Sequence, residues 1–391
     1  MPPPAPAPPW KRDFAMVVLG TLLVATGFFI LLPVLPLLVV GPLGGNEAQV
    51  GLAVGTFSIT ALAARPFVGW MLDRFGRRLW LLAGVVAMVP CMAVYALVPS
   101  FAWLESLRLV HGLAWGVTTV AMATVAADLV PARWRGTGMG IYGLAMPMAM
   151  ALGPLAGSAL LQEDDFPRVF AVGTGITVLA VLAYAAVRVP AVKDRGARLA
   201  LHSMFEWRVG WISVVQALLC AGFGGWMSFL PMYAPSLGFE GAGPLFFWYA
   251  IGGLSSRIFA GRWYDTRGPA GPGALTVLLL LGGWLGFALS THSVVALVAS
   301  TLLGLGFGTA GTVFLAMAID LVEPHRRGAA NATFFSAYDV GIGGGAILFG
   351  ALVSLADVQQ VFWAATVCTV VAGIVLVTVA LPHFRQHRLG L

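Results

Sequence analysis

Charged residues are scarce in this chain. Only 10% of its 391 residues are Asp, Glu, Lys or Arg, whereas 59% are hydrophobic. A soluble domain carries about 25% charged residues, so a water-soluble fold would need a core far larger than one domain supplies. Cysteine is nearly missing. Cys91, Cys220 and Cys368 each sit inside an apolar run with no near partner, so they read as small buried hydrophobes. No spacing of His, Cys, Asp or Glu suits a metal, and no ATP-binding loop or attached soluble domain appears. No cofactor is expected. The net charge of +6 is dispersed between apolar runs, which excludes a nucleic-acid face. Ten-residue alternation is also missing, which excludes a closed membrane barrel.

What remains is a chain of long apolar segments. Twelve reach the ~20 residues that span a bilayer as a helix: roughly 14–40, 48–72, 79–98, 102–127, 137–161, 167–188, 209–234, 243–263, 273–290, 293–319, 329–354 and 358–381. Residues 1–13 are too proline-rich for a helix and read as a disordered tail. The connection 190–208 splits the segments into six and six, giving bundles over 14–189 and 209–382 and a tail over 383–391. Within that connection, Leu199, Leu201, Met204, Phe205 and Trp207 alternate with charges. They fit either an interfacial helix or a plain linker. Pro33, Pro36, Pro231 and Pro235 mark breaks near one end of the first and seventh segments.

Charge placement orients the chain. Of the 22 basic residues, all but Arg65, Arg108, Arg168 and Arg257 fall on one side of the predicted spans. Basic loops stay in the cytoplasm. Both termini are therefore expected there, in a cytoplasmic (inner) membrane.

The sequence repeats itself at an offset of 192 positions. Arg65, Phe67, Gly69, Asp73 and Gly76 return as Arg257, Phe259, Gly261, Asp265 and Gly268. Gly112 and Gly116 return as Gly304 and Gly308, Asp128 as Asp320, and Arg135 as Arg327. Charged residues sharing one offset carry more weight than glycines in a glycine-rich chain. A duplicated apolar chain with a charged turn in each half points to a two-fold membrane transporter. Asp73 and Asp128, near Arg74, Arg77, Arg78 or Arg135, make a candidate cytoplasmic gate, with Asp265, Asp320 and Arg327 as the second copy. The alternative is a purely topological role. Thr266 and Arg267 break the basic pattern in that copy, so the gates are expected to be unequal.

Ionisable residues inside spans are functional candidates. Asp339 lies about 16 Å past Gly328 along a helix, and Arg65 about 12 Å before Asp73. Arg257 sits at the depth of Arg65 in the other half. Asp339 pairs with one of these arginines, either as a proton carrier or as a static helix tie. Glu105, Arg108 and His111 share one helix face. Glu105 is expected to hold Arg108, and His111 either titrates or is a structural histidine. Gly112 and Gly116, like Gly304 and Gly308, permit close helix approach. Gly153, Pro154 and Gly157 predict a bend in the fifth segment. Trp115, Trp226, Phe229, Tyr233, Trp248, Tyr249 and Tyr338 either line a cavity or pack against helices and lipid.

These residues resemble the major facilitator superfamily over essentially all twelve segments. Gly69 to Arg78 resembles the motif G-x-L-x-D-R-x-G-R-[RK], with Met71 at the Leu position. Arg108 to Gly112 resembles R-x-x-Q-G, with His111 for Gln. Gly153 to Ser158 resembles the antiporter motif G-P-x-x-G-G, with Ser158 for the last Gly. The resemblance implies an all-α membrane protein: twelve transmembrane helices in two pseudo-symmetric six-helix bundles. It also implies a central cavity, alternating access, and no enzymatic activity. By placing the second helix beside the eleventh, it prefers Arg65 as the partner of Asp339. Arg108 takes the place of the family arginine tied to substrate or proton coupling. The expected activity is proton-coupled export of a small organic or amphipathic molecule by a lipid-embedded monomer. Its partners are the substrate and protons. The alternative is a proton-coupled importer or facilitator of a polar or anionic solute.

Overall fold

The computed structural model of the chain describes residues 12–131, 134–161, 165–189, 205–290, 292–323 and 326–388; the side chains of Asp73, Arg135 and Ile258 lie outside it. Residues 190–204, where an interfacial helix was an option, also lie outside.

Within these bounds the chain is helical throughout. The first bundle comprises α1 (Arg12–Phe29), α2 (Leu35–Val40), α3 (Glu47–Phe75), α4 (Arg77–Val94), α5 (Phe101–Leu129), α6 (Arg135–Tyr142), α7 (Ala145–Leu160) and α8 (Phe166–Ala185). The second comprises α9 (Gly210–Tyr233), α10 (Gly243–Arg267), α11 (Ala270–Leu289), α12 (Ser293–Asp320), α13 (Arg327–Val353), α14 (Gln360–Val375) and α15 (Leu381–His387). Three pairs run end to end: α1 with α2, α6 with α7, and α14 with α15 through a π turn at Leu376–Ala380. The fifteen helices therefore make twelve spans among the described residues. Eleven spans are long and apolar enough to cross a membrane, while α10 is diluted by Arg257, Arg262, Asp265 and Arg267.

Local chemistry sets the ends. Asn46 and Gln49 exchange side-chain and backbone bonds at the start of α3, a reciprocal cap that satisfies two orphan amides. Pro33 lies in the break between α1 and α2, and Pro36 sits in the first turn of α2 where its missing N–H costs nothing. Pro231 is accommodated inside α9, and Pro235 falls in the 3-10 turn that follows. Gly76 and Gly268, 192 positions apart, end α3 and α10 with φ of +99° and +74°. Only glycine adopts such angles without strain. The duplication is thus written into the backbone.

It is also written into packing. Gly112 and Gly116 on α5 press against Phe57, Ala61 and Ala64 of α3. Gly304 and Gly308 on α12 press against Tyr249, Gly253 and Ser256 of α10, the same positions shifted by one repeat. Each bundle has its own aromatic interior: Phe28, Phe57 and Trp115 in the first, and Phe223, Trp226, Tyr249 and Phe307 in the second. Leu179, Leu182, Leu278 and Val298 stay exposed on the outside, as lipid-facing side chains should.

Two seams join the bundles, α3 against α13 and α7 against α10. On the first, a Cβ at Gly350 would stand 3.1 Å from the Cα of Gly51. On the second, a Cβ at Gly243 would stand 3.1 Å from the Cβ of Ser158, whose hydroxyl accepts the Gly243 amide at 3.0 Å. Gly51 and Gly350 shifted by one repeat are Gly243 and Ser158. Both seams are therefore shut at the same end. Towards the end bearing Gly76 and Gly268 they part: Gly69 is exposed and meets nothing within 4 Å, as do Gly140 and Gly328.

Candidate functional site

Where the first seam parts, α3 carries Arg65 and α13 carries Asp339. The guanidinium Nε donates to Oδ2 at 2.6 Å and Nη2 donates to Oδ1 at 3.2 Å. This two-pronged contact is the strong form of an arginine–carboxylate pair. It spans the two bundles and is largely buried, with side chains 24% and 14% exposed.

Among the described residues the second seam has no such pair. Arg257, at the position equivalent to Arg65, donates Nη1 to the carbonyl of Gly143 at 2.9 Å. Gly143 lies in the gap between α6 and α7. α7 runs as one helix through Gly153, Pro154 and Gly157, where the bend is expected, and the fifth span is interrupted at Gly143 and Leu144. Gly153 and Gly157 instead let α7 close on Phe29, Ile30 and Pro33 of the first span.

Arg108 occupies a third polar centre, within the first bundle. Its Nε donates to the Ala53 carbonyl at 2.8 Å and Nη1 to the Tyr95 hydroxyl at 3.2 Å, with the guanidinium 4.2 Å from the centre of the Phe57 ring. Tyr95 also bonds His111 Nδ1 at 3.0 Å. Glu105 does not hold Arg108, contrary to expectation: its Oε2 accepts from Thr56 Oγ1 at 2.6 Å. A carbonyl of α3 and a phenol of the turn after α4 reach the guanidinium instead. Arg108 and His111 are both buried.

At the outer rim near Gly76, Arg77 pairs with Asp128. Both belong to the first bundle, so this tie binds α4 to α5 and crosses neither seam. Arg78 donates to the carbonyls of Ala185 and Val187 and closes the end of α8. Arg74 is exposed at the end of α3. The expected contributions of Asp73 and Arg135 fall on side chains outside the described residues. In the second bundle, the repeat of Arg77 is Pro269. Asp320 accepts from Tyr264 at 2.8 Å and faces Arg388 at 3.8 Å. With Asp265 and Arg267 they line a polar cleft of about 680 Å³. Arg327 opens α13 in an exposed position.

The sequence reading missed Thr56, Tyr95 and Gly143, because their roles arise from contacts distant in sequence. It also missed a clasp at the start of α13, where Arg326 Nε donates to Glu206 at 2.9 Å. Glu206 was visible only as an isolated acid in a basic connector.

The sequence profile of the Major Facilitator Superfamily matches residues 17–341 and 273–389. The chain belongs to the Major Facilitator Superfamily. A superfamily relative from Lactococcus lactis subsp. lactis (strain IL1403), the multi-drug resistance efflux pump PmrA homolog, is 31% identical over 179 residues. That alignment spans 44% of this chain and only 43% of the relative. Among solved superfamily structures, a bacterial homologue of the human lysosomal transporter Spinster, in an inward-facing and occupied conformation, matches with a TM-score of 0.80. Its identity is 16%, over 97% of this chain and 99% of that one. The nucleoside transporter NupG matches with a TM-score of 0.76 at 16% identity, over 94% and 99%. At such identities the structures establish the shared fold. The superfamily assignment and the long apolar spans make this chain an integral membrane protein of that superfamily.

Proposed function

We propose that this chain is a proton-coupled exporter of a small amphipathic molecule. It works by alternating access, as a monomer, in the cytoplasmic membrane with both termini inside. The observation that carries the reading is the Arg65–Asp339 pair, placed where the closed part of a seam meets the open part. Protonating Asp339 removes the charge that holds Arg65. One contact between the bundles is then weakened, and the equilibrium between two arrangements shifts by that contact's differential energy. The basic ends of the helices support an open side that faces the cytoplasm, where a substrate for export enters. The aromatic content of both bundles is in line with an amphipathic solute. The efflux designation of the Lactococcus relative is in line with this direction.

The test uses purified protein in liposomes holding a pH-sensitive dye. Three probes of matched shape are offered: 1-naphthoate, 1-naphthylmethanol and 1-naphthylmethylammonium. At least one is expected to cross against an opposing proton flow and to accumulate on the acidic side. Movement of probes with no proton flow, movement of proton and probe in the same direction, or no movement of any probe overturns the reading.

A further inference from the structure

The two seams are copies of each other, and one charge is missing from the second. Arg65 on α3 and Arg257 on α10 are repeat equivalents. Asp339 on α13 has its equivalent on α7, at Pro147. The closed ends of the seams obey the same correspondence, with Gly51 and Gly350 mirrored by Gly243 and Ser158. Position 147 is therefore where a partner for Arg257 belongs, and proline cannot provide one. Arg257 turns to Gly143, one helical turn earlier, and uses one of its five N–H donors on that carbonyl.

The result is an unequal charge count between the two seams. Arg65 and Asp339 cancel. Arg257 keeps its full positive charge, and among the described residues no carboxylate pairs with it. Its side chain is exposed, and its Nη1 reaches across the second seam to the Gly143 carbonyl. An arginine at mid-span is costly unless something neutralises it. A backbone carbonyl supplies a dipole and no charge.

The bundle that carries Arg257 is rich in aromatic side chains. Tyr338 on α13 is the residue next to Asp339. Behind Tyr338 stand Phe334 and Phe335, and α10 itself presents Tyr249 to Phe223 and Phe307. A guanidinium with unused donors recognises an anionic head, and the aromatic side chains of the same bundle suit an apolar body.

We infer that Arg257 is the recognition site for the anionic group of the substrate, which is an amphipathic organic anion such as a carboxylate on an aromatic or aliphatic frame. This rests on the transport reading above and specifies the charge of what is carried. It does not depend on which ion drives transport.

Equilibrium dialysis of the purified full chain tests it with the three naphthalene probes. 1-Naphthoate is expected to bind about tenfold or more tightly than 1-naphthylmethanol, the margin of a charge-assisted contact. Arg257→Gln should erase that margin and leave the alcohol's affinity unchanged. Arg257→Lys should keep part of it. Pro147→Asp supplies the missing carboxylate and should suppress naphthoate binding as Arg257→Gln does, while leaving Arg257 in place. Equal binding of the three probes, preference for the ammonium, or an equal loss of all three in Arg257→Gln overturns the inference. The last result would make Arg257 a tie between the bundles only. The failures separate cleanly. If the ammonium probe moves against protons and naphthoate does not bind, export stands and the anion site falls. If naphthoate binds through Arg257 and no probe moves against protons, the anion site stands and proton-coupled export falls.

Discussion

Arg65 and Asp339 lie 274 positions apart in sequence and meet through two hydrogen bonds, one from each of two guanidinium nitrogens to each carboxylate oxygen. The contact joins α3 of one bundle to α13 of the other. Removing one member of a buried pair leaves the other charge unpaired, which typically costs about 3–5 kcal/mol. Replacing Asp339 by Asn keeps the shape and some of the bonding, so the cost should be smaller. Asp339→Asn is expected to purify as a folded protein with a Tm within a few degrees of wild type. Its proton flux should fall at least tenfold when substrate is present, while substrate exchange without a pH gradient persists. Proton flux at wild-type level in liposomes of that variant removes Asp339 from the coupling path.

His111 admits two roles, and Tyr95 separates them. The Tyr95 hydroxyl bonds both Arg108 and His111 in a buried site. Tyr95→Phe deletes both contacts without altering the ring. Each lost buried bond costs about 1–3 kcal/mol. The variant is expected to melt several degrees lower, with the pH profile of transport unmoved. A displaced pH profile with unchanged Tm would instead put His111 on the proton path.

Much of this was legible in sequence, for identifiable reasons. Spans follow from the cost of charge and open backbone in lipid, which acts on every residue. The duplication was visible in Asp128 and Asp320 and in Gly76 and Gly268, because charge and positive φ tolerate few substitutes. The depth of Arg65 and Asp339 followed from helical rise. The partners of Arg108 did not. Glu105 stands one turn away on the same helix and was the natural choice, yet the Ala53 carbonyl and Tyr95 hold the guanidinium. Backbone carbonyls carry no sequence signal, and the same holds for Gly143 beneath Arg257. The expected gate at Arg77 also reads differently once Asp128 is seen in the same bundle.

That pair and the pair made by Asp320, the repeat of Asp128, should contribute unequally to stability. Arg77 and Asp128 are 14% and 22% exposed, whereas Arg388 and Asp320 are 53% and 34% exposed and 3.8 Å apart. Exposed pairs contribute about 0–1 kcal/mol, and breaking buried ones costs several. Arg77→Ala is expected to lower Tm clearly and Arg388→Ala to leave it within a degree or two. Thermal melts of the two variants in one detergent provide the comparison. Equal shifts would mean that Arg388 is held more firmly than its geometry implies.

The parted and closed stretches of α3 give opposite predictions for one kind of substitution. Gly51 faces α13 at the closed end, where an added Cβ would meet the Ala346 backbone and stand 3.1 Å from the Gly350 Cα. Backbone cannot yield as a flexible side chain can, so Gly51→Val should force this end apart. Gly69 lies one helical turn beyond Arg65 and has open space around it. Gly69→Val is therefore compatible with the present arrangement and obstructs only one in which the basic ends approach. Spin labels at Gly140→Cys and Gly328→Cys, with the native cysteines replaced, report the gap between the basic ends. Gly51→Val is expected to shorten that distance, since bundles that rock about a central site close one end as they open the other. Gly69→Val should leave the distance at its wild-type value and still stop transport, because the cycle requires the arrangement it obstructs. A wild-type transport rate in Gly69→Val would show that the seam never closes along that stretch. An unchanged distance in Gly51→Val would show that the two ends move independently.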